Sequence, residues 1–87
     1  MQKNRMIEPQ TPTLDALRVF LAIADTGSFA AASRHLGRAT SVVSYQLANL
    51  ETQLGLTLLE RRGTRKVVVT ESGQALVPNA RAVARAV

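Results

Sequence analysis

Apolar residues recur at helical spacing through the first two-thirds of the chain. Leu14, Leu17, Leu21 and Ala24, with Phe20 beside them, share one face. That pattern predicts a first helix stopped by Gly27. Ser28 follows as a good N-cap, because its hydroxyl can accept from an amide that has no partner inside the helix. Behind it Phe29, Ala32 and Leu36 point one way, predicting a short second helix ended by Gly37. Val43, Leu47, Leu50 and Leu54 then form a third stripe. They predict a helix over residues 40–54, closed by Gly55.

Beyond Gly55 the period changes. Residues 57–60 and the valine-rich residues 66–70 flank Arg61-Arg62-Gly63-Thr64-Arg65, which reads as a hairpin with a basic tip. A two-stranded hairpin is marginal in water, so Leu58, Leu59 and some of Val67, Val68 and Val69 are expected to pack on the helices. Thr70 is placed to cap a last helix running to Val87, on which Leu76, Ala80, Val83 and Val87 share a side. Pro78 removes a backbone donor there and is expected to kink the helix or disturb its first turns. Residues 1–13 are polar and aperiodic and read as a loose arm. The expected layout is mainly α: an arm at 1–13, a three-helix core with a two-stranded wing at 14–70, and a linker helix at 71–87.

Composition narrows the function. Eleven Lys and Arg against six Asp and Glu give a net charge of +5, which on so small a surface attracts a polyanion. No cysteine is present, so neither a disulfide nor a thiolate metal site supplements the core. No stretch approaches the roughly 20 apolar residues that span a bilayer, and a cytoplasmic location without membrane contact is expected. His35 is the single histidine, and the carboxylates show no paired or metal-ligand spacing. No catalytic residue, metal or cofactor is therefore assigned to this chain. His35 is expected to complement the C-terminal end of the second helix.

Placement of the polar residues points to DNA. A short helix, a break at Gly37-Arg38-Ala39 and a longer helix have the proportions of a helix-turn-helix, whose second helix enters the major groove. With the apolar stripe buried, Thr40, Ser41, Ser44, Tyr45 and Ala48 face outward. Short hydroxyls let a backbone approach base edges closely, whereas an ordinary water-facing helix more often carries Glu and Lys. Thr40, Ser41, Ser44 and Tyr45 are the candidates for base readout. Arg61, Arg62, Arg65 and Lys66 on the hairpin, with Ser28 and Arg38, are the candidates for backbone contact. The alternative for the hairpin is a charged edge that discourages strand-to-strand aggregation.

The segments LRVFLAIADTGSFAAASRHLG and SVVSYQLANLETQLGLTLLERRGTRKVVVTESGQAL resemble the DNA-binding region of LysR-type bacterial transcription regulators. The resemblance runs from Leu14 to Val87. It rests on GSF before an alanine-rich helix, the Leu50-Glu51 and Leu54-Gly55 pairs, LLER before the wing and VTESG after it. It implies a winged helix-turn-helix that binds double-stranded DNA as a homodimer, with tetramers in full-length relatives. It also implies a larger domain that binds a small-molecule effector and is absent from this chain. The sequence departs from the family in the turn. Arg38, Ala39, Thr40 and Ser41 stand where relatives usually offer a hydrophobic residue, Ser or Thr, Gln and often Pro. Ala39 cannot cap, so Thr40 is expected to take that role, and Tyr45 replaces a frequent Arg.

Leu76, Ala80, Val83 and Val87 are the expected dimer seam, the alternative being that they fold back on their own domain. A winged helix used for protein association, and more distantly an enzyme, are the competing functions. Salt-dependent duplex binding separates the first from DNA reading.

Overall fold

The computed structural model describes residues 12–63 and 66–86. Helices α1 (Leu14–Thr26), α2 (Phe29–Leu36) and α3 (Thr40–Leu54) precede the strands β1 (Leu59–Arg62) and β2 (Lys66–Val69), and α4 (Glu71–Arg85) follows. The architecture is the mainly α winged helix-turn-helix that the sequence predicts. Residues 1–11 of the expected arm at 1–13, together with Thr64, Arg65 and Val87, lie outside the described residues.

Local chemistry accounts for most boundaries. The hydroxyls of Thr13, Ser28 and Thr70 accept from the amides of Ala16, Ala31 and Gly73 at 3.0, 2.9 and 3.0 Å, starting α1, α2 and α4. Thr13 is thus a cap rather than part of a loose arm. Gly27, Gly37 and Gly55 end the first three helices in the left-handed region, at φ of 78°, 68° and 69°, where a side chain would be strained.

The core sits around α1, whose buried surface extends well beyond the single apolar stripe of Leu14, Leu17, Leu21 and Ala24. Val19, Phe20 and Ile23 are fully buried, and Leu17, Leu21 and Ala22 nearly so. Helix α1 meets α2, α3, α4 and β2, so it is covered on most sides. Ala32, Val43, Leu50, Leu58 and Ala80 fill the space between them.

The wing is displaced from its expected position. β1 covers Leu59–Arg62, not 57–60, and pairs antiparallel with β2 in the register Leu59 to Val69 and Arg62 to Lys66. Arg61 and Arg62 consequently belong to a strand instead of the tip. Leu58 and Leu59 are buried, Val67 and Val69 pack on the core, and Val68 faces out. The Val67 amide donates to the Gly27 carbonyl at 3.2 Å, stitching the wing to the end of α1.

Helix α4 corrects the expected seam. Gly73 and Ala80 are buried and Leu76, Val77 and Ala84 pack on the core. The inward stripe therefore runs 73, 76/77, 80, 84, so Leu76 and Ala80 fold back on their own domain. Val83 falls beside that stripe and is 44% exposed. Arg81 clasps Asp25 of α1 through both carboxylate oxygens, at 2.7 and 3.2 Å, fixing α4 to the core. The helix runs unbroken through Pro78. Its missing donor falls on the exposed side, where water can serve the Gln74 carbonyl.

Candidate nucleic-acid interface

Helix α3 presents the candidate readout face. Val43, Leu47 and Leu50 anchor it in the core. Thr40, Ser41, Tyr45 and Ala48 are exposed and Ser44 is half-exposed. Tyr45 is 67% exposed, a large aromatic surface left uncovered within the chain. Val42 was not singled out from the sequence, yet it is 45% exposed. Its signal lay in the helical wheel: with Val43 inward, residue 42 is turned about 100° away.

The start of α3 differs from expectation. Ala39 occupies the N-cap and makes no side-chain cap bond. Thr40 does not replace it, because it lies one residue inside the helix and its hydroxyl donates to Ser33 Oγ of α2 at 3.2 Å. Ser33 in turn donates to the Ala30 carbonyl at 2.8 Å. These bonds link α3 to α2 through buried Ser33.

Arg38 also has a different surrounding from the one expected of a backbone contact. Its guanidinium engages both oxygens of Asp15, at 2.8 and 3.0 Å, and the Gln46 Oε1 at 2.9 Å. The Arg38 hydrogen bond holds the Asp15 carboxyl below the usual Asp range despite an opposing effect of burial, and Asp15 holds the Arg38 guanidinium more firmly protonated than usual.

The wing is braced against α2. The Arg61 guanidinium lies 4.3 Å from the centroid of the Phe29 ring, a cation–π distance. Arg62 approaches Glu60 at 3.6 Å, and both Arg62 and Lys66 are exposed. Glu51 Oε2 accepts from the Leu58 and Leu59 amides at 2.7 and 3.2 Å. The carboxylate thereby ties the end of α3 to the root of the wing. Glu51 was visible in the sequence only as part of a motif, since a bond to distant amides leaves no periodic trace. Ser28 accepts from Ala31 N and keeps its hydroxyl proton for a further acceptor. No described group of three or more His, Cys, Asp and Glu side chains could hold a metal ion, and no described helix is long and apolar enough to cross a membrane.

Residues 14–74 match the model of the bacterial regulatory helix-turn-helix proteins of the lysR family. The chain belongs to the lysR family. Among its relatives, a probable hydrogen peroxide-inducible genes activator of Mycobacterium xenopi is 47% identical over 87% of this chain and 40% of its own length. The oxidized form of Corynebacterium glutamicum OxyR superimposes with a TM-score of 0.84 at 42% identity, over 87% of this chain and 24% of that one. The BenM DNA-binding domain, solved in complex with benA site 1 DNA, gives a TM-score of 0.76 at 38% identity, over 82% of this chain and 81% of that one. This lysR-family chain thus spans less than half the length of the Mycobacterium relative and about four-fifths of the BenM DNA-binding domain.

Proposed function

We propose that this chain reads double-stranded DNA in a sequence-specific way for a cytoplasmic transcription regulator, without catalysis. Helix α3 lies in the major groove, with Thr40, Ser41, Ser44 and Tyr45 meeting base edges, and Val42 lies beside them. The wing residues Arg61, Arg62 and Lys66, with Ser28 at the start of α2, meet the sugar-phosphate backbone. Arg38 is left out of the contact set because its guanidinium is held by Asp15 and Gln46. The carrying observation is the exposed face of α3, in a domain that superimposes on one solved with DNA.

A dimer places a recognition helix at each half-site. A small-molecule effector and tetramer formation belong to the remainder of a full-length regulator. Selection of bound duplexes from a random pool tests the reading and reports half-site spacing. Titration with salt should then give a log-log slope of about −5, if a dimer neutralises about 6 phosphates. A chain that enriches no duplex, or that binds none at low salt, refutes the reading and favours a protein partner for α3.

A further inference from the structure

The recognition helix is the one helix of the described chain whose N-cap residue makes no side-chain bond; Thr13, Ser28 and Thr70 anchor the others. Without a side-chain cap, the first turn of α3 is held by backbone alone, through the Val42 amide on the Ala39 carbonyl at 3.0 Å, which makes a weaker helix start. Beside this weak start lies a closed ring of side chains. Arg38 donates to Asp15 through both terminal nitrogens and to Gln46 Oε1, and Gln46 Nε2 donates back to Asp15 Oδ2 at 2.8 Å. The ring joins the first turn of α1, the α2–α3 turn and the second turn of α3. Both hydrogens of Arg38 Nη1 are engaged, and the amide of Gln46 serves at once as donor and acceptor.

We propose that the Asp15–Arg38–Gln46 ring is the positioning device of the recognition helix: it substitutes for the absent cap, and it determines specificity by fixing how α3 sits on α1. The proposal rests on the DNA-reading function above. Arg38 acts here through Gln46 and not on DNA. Bidentate guanidinium–carboxylate bonds are directional as well as strong, so they fix geometry in a way that a diffuse surface charge does not. Arg18 adds its charge at the same carboxylate, keeping the acceptor ionised. The ring is at the surface, with side-chain exposures of 32% for Arg38 and 48% for Asp15, so its share of global stability is small.

Its effect on readout is larger, because base hydrogen bonds weaken steeply with distance and angle while charge attraction falls off slowly. A recognition helix that tilts loses selective contacts before it loses non-selective ones.

Arg38→Lys keeps the charge and removes the bidentate geometry; Arg38→Ala and Asp15→Asn open the ring from either side. The probes are a duplex selected by the parent chain and a scrambled duplex of the same length. Each variant should lower the selected-to-scrambled affinity ratio about tenfold, equivalent to about one well-made polar contact. The salt slope should stay at the parent value, and the Arg38→Ala, Asp15→Asn double variant should be no worse than the poorer single. The Val42 and Val43 amides, which donate to the Ala39 carbonyl at 3.0 and 3.1 Å, should exchange faster with deuterium in each variant. Equal weakening of both duplexes with a slope reduced by about one makes Arg38 a phosphate contact and overturns the proposal. So does an Asp15→Asn variant that strengthens both duplexes equally, which would make Asp15 a simple repulsive charge. If the parent chain itself discriminates between no duplexes, the function fails instead, and unchanged exchange at Val42 and Val43 would still refute the ring.

Discussion

At the scale of single residues, exposure and backbone constraint separate roles that residue type alone confounds. Ser28, Ser33 and Ser44 are chemically alike, yet one caps α2, one is buried between α2 and α3, and one faces outward. The outward pair Ser44 and Tyr45 carries the first prediction. Loss of a good base contact costs about 1–3 kcal/mol, so Ser44→Ala and Tyr45→Ala should each weaken a selected duplex by about 5- to 150-fold and a scrambled duplex far less. Competition binding with both duplexes measures this, and equal losses on both would move the residue to the phosphates. Gly73 carries the second. A methyl group there would collide with the Leu58 carbonyl oxygen and with the Val69 side chain. The first of these is backbone and cannot swing aside. Gly73→Ala should therefore destabilise the chain by about 1–3 kcal/mol and lower its thermal midpoint, and an unchanged midpoint would show that α4 can move away from the wing. Gly73 was present in the sequence only as part of VTESG, because close approach of remote backbone is invisible to periodicity.

At the scale of elements, helix existence and ends were legible, and helix surroundings were not. Gly27, Gly37 and Gly55 fall at the predicted stops because each adopts positive φ. By contrast α1 displayed one apolar stripe but is buried on most sides, since its neighbours include β2 and α4 as well as α2 and α3. The hairpin position slipped because Thr57 and Leu58 look like strand residues, while the strand pairing begins at Leu59. Ion pairs are the least legible feature: Asp25 and Arg81 are far apart in sequence and adjacent in space. The Arg81 hydrogen bond lowers the Asp25 pKa, against a smaller opposing effect of burial. A depressed carboxyl contributes stability above its unfolded pKa and loses it as pH falls through the folded value. The Asp25 contribution is thus complete above the ordinary Asp value of 3.8 and fades below it. Asp25→Asn should lower the thermal midpoint at neutral pH and leave a smaller difference from the parent chain as pH drops below that value. A difference that stays constant through the acid range would remove the pair from the account. For the wing, Arg62→Ala and Lys66→Ala should each reduce the salt slope by about one and weaken all duplexes alike. A changed sequence preference at constant slope would mean that the wing reads bases.

At the scale of the whole molecule, the proposed dimer needs a surface, and the fold changes the one that the sequence pattern suggests. Leu76, Ala80, Val83 and Val87 were expected to form one seam. Ala80 has no exposed surface, and Leu76 is partly buried against the core, so the stripe through them turns mainly inward. Arg81 reinforces this orientation through Asp25, because rotating α4 to present Ala80 would break a bidentate pair. Val83 is the large apolar residue of α4 left exposed, with exposed Asn79 one turn before it on the same face and exposed Ala82 beside it. If a second copy joins through α4, the face centred on Val83 is expected to carry the contact instead of the stripe through Ala80. The buried apolar area available there is modest, so the dimer should be weak and concentration-dependent. Val83→Glu places a charge at the centre of that contact with no partner, and burying an unpaired charge opposes association strongly. Sedimentation equilibrium over a concentration series should show monomer and dimer for the parent chain and a strong shift to monomer for Val83→Glu. The same substitution should leave the thermal midpoint of a dilute, monomeric sample nearly unchanged, because the side chain already faces water. By contrast, Ala80→Glu should unfold the domain at any concentration. A Val83→Glu chain that dimerises like the parent would place the interface on another surface.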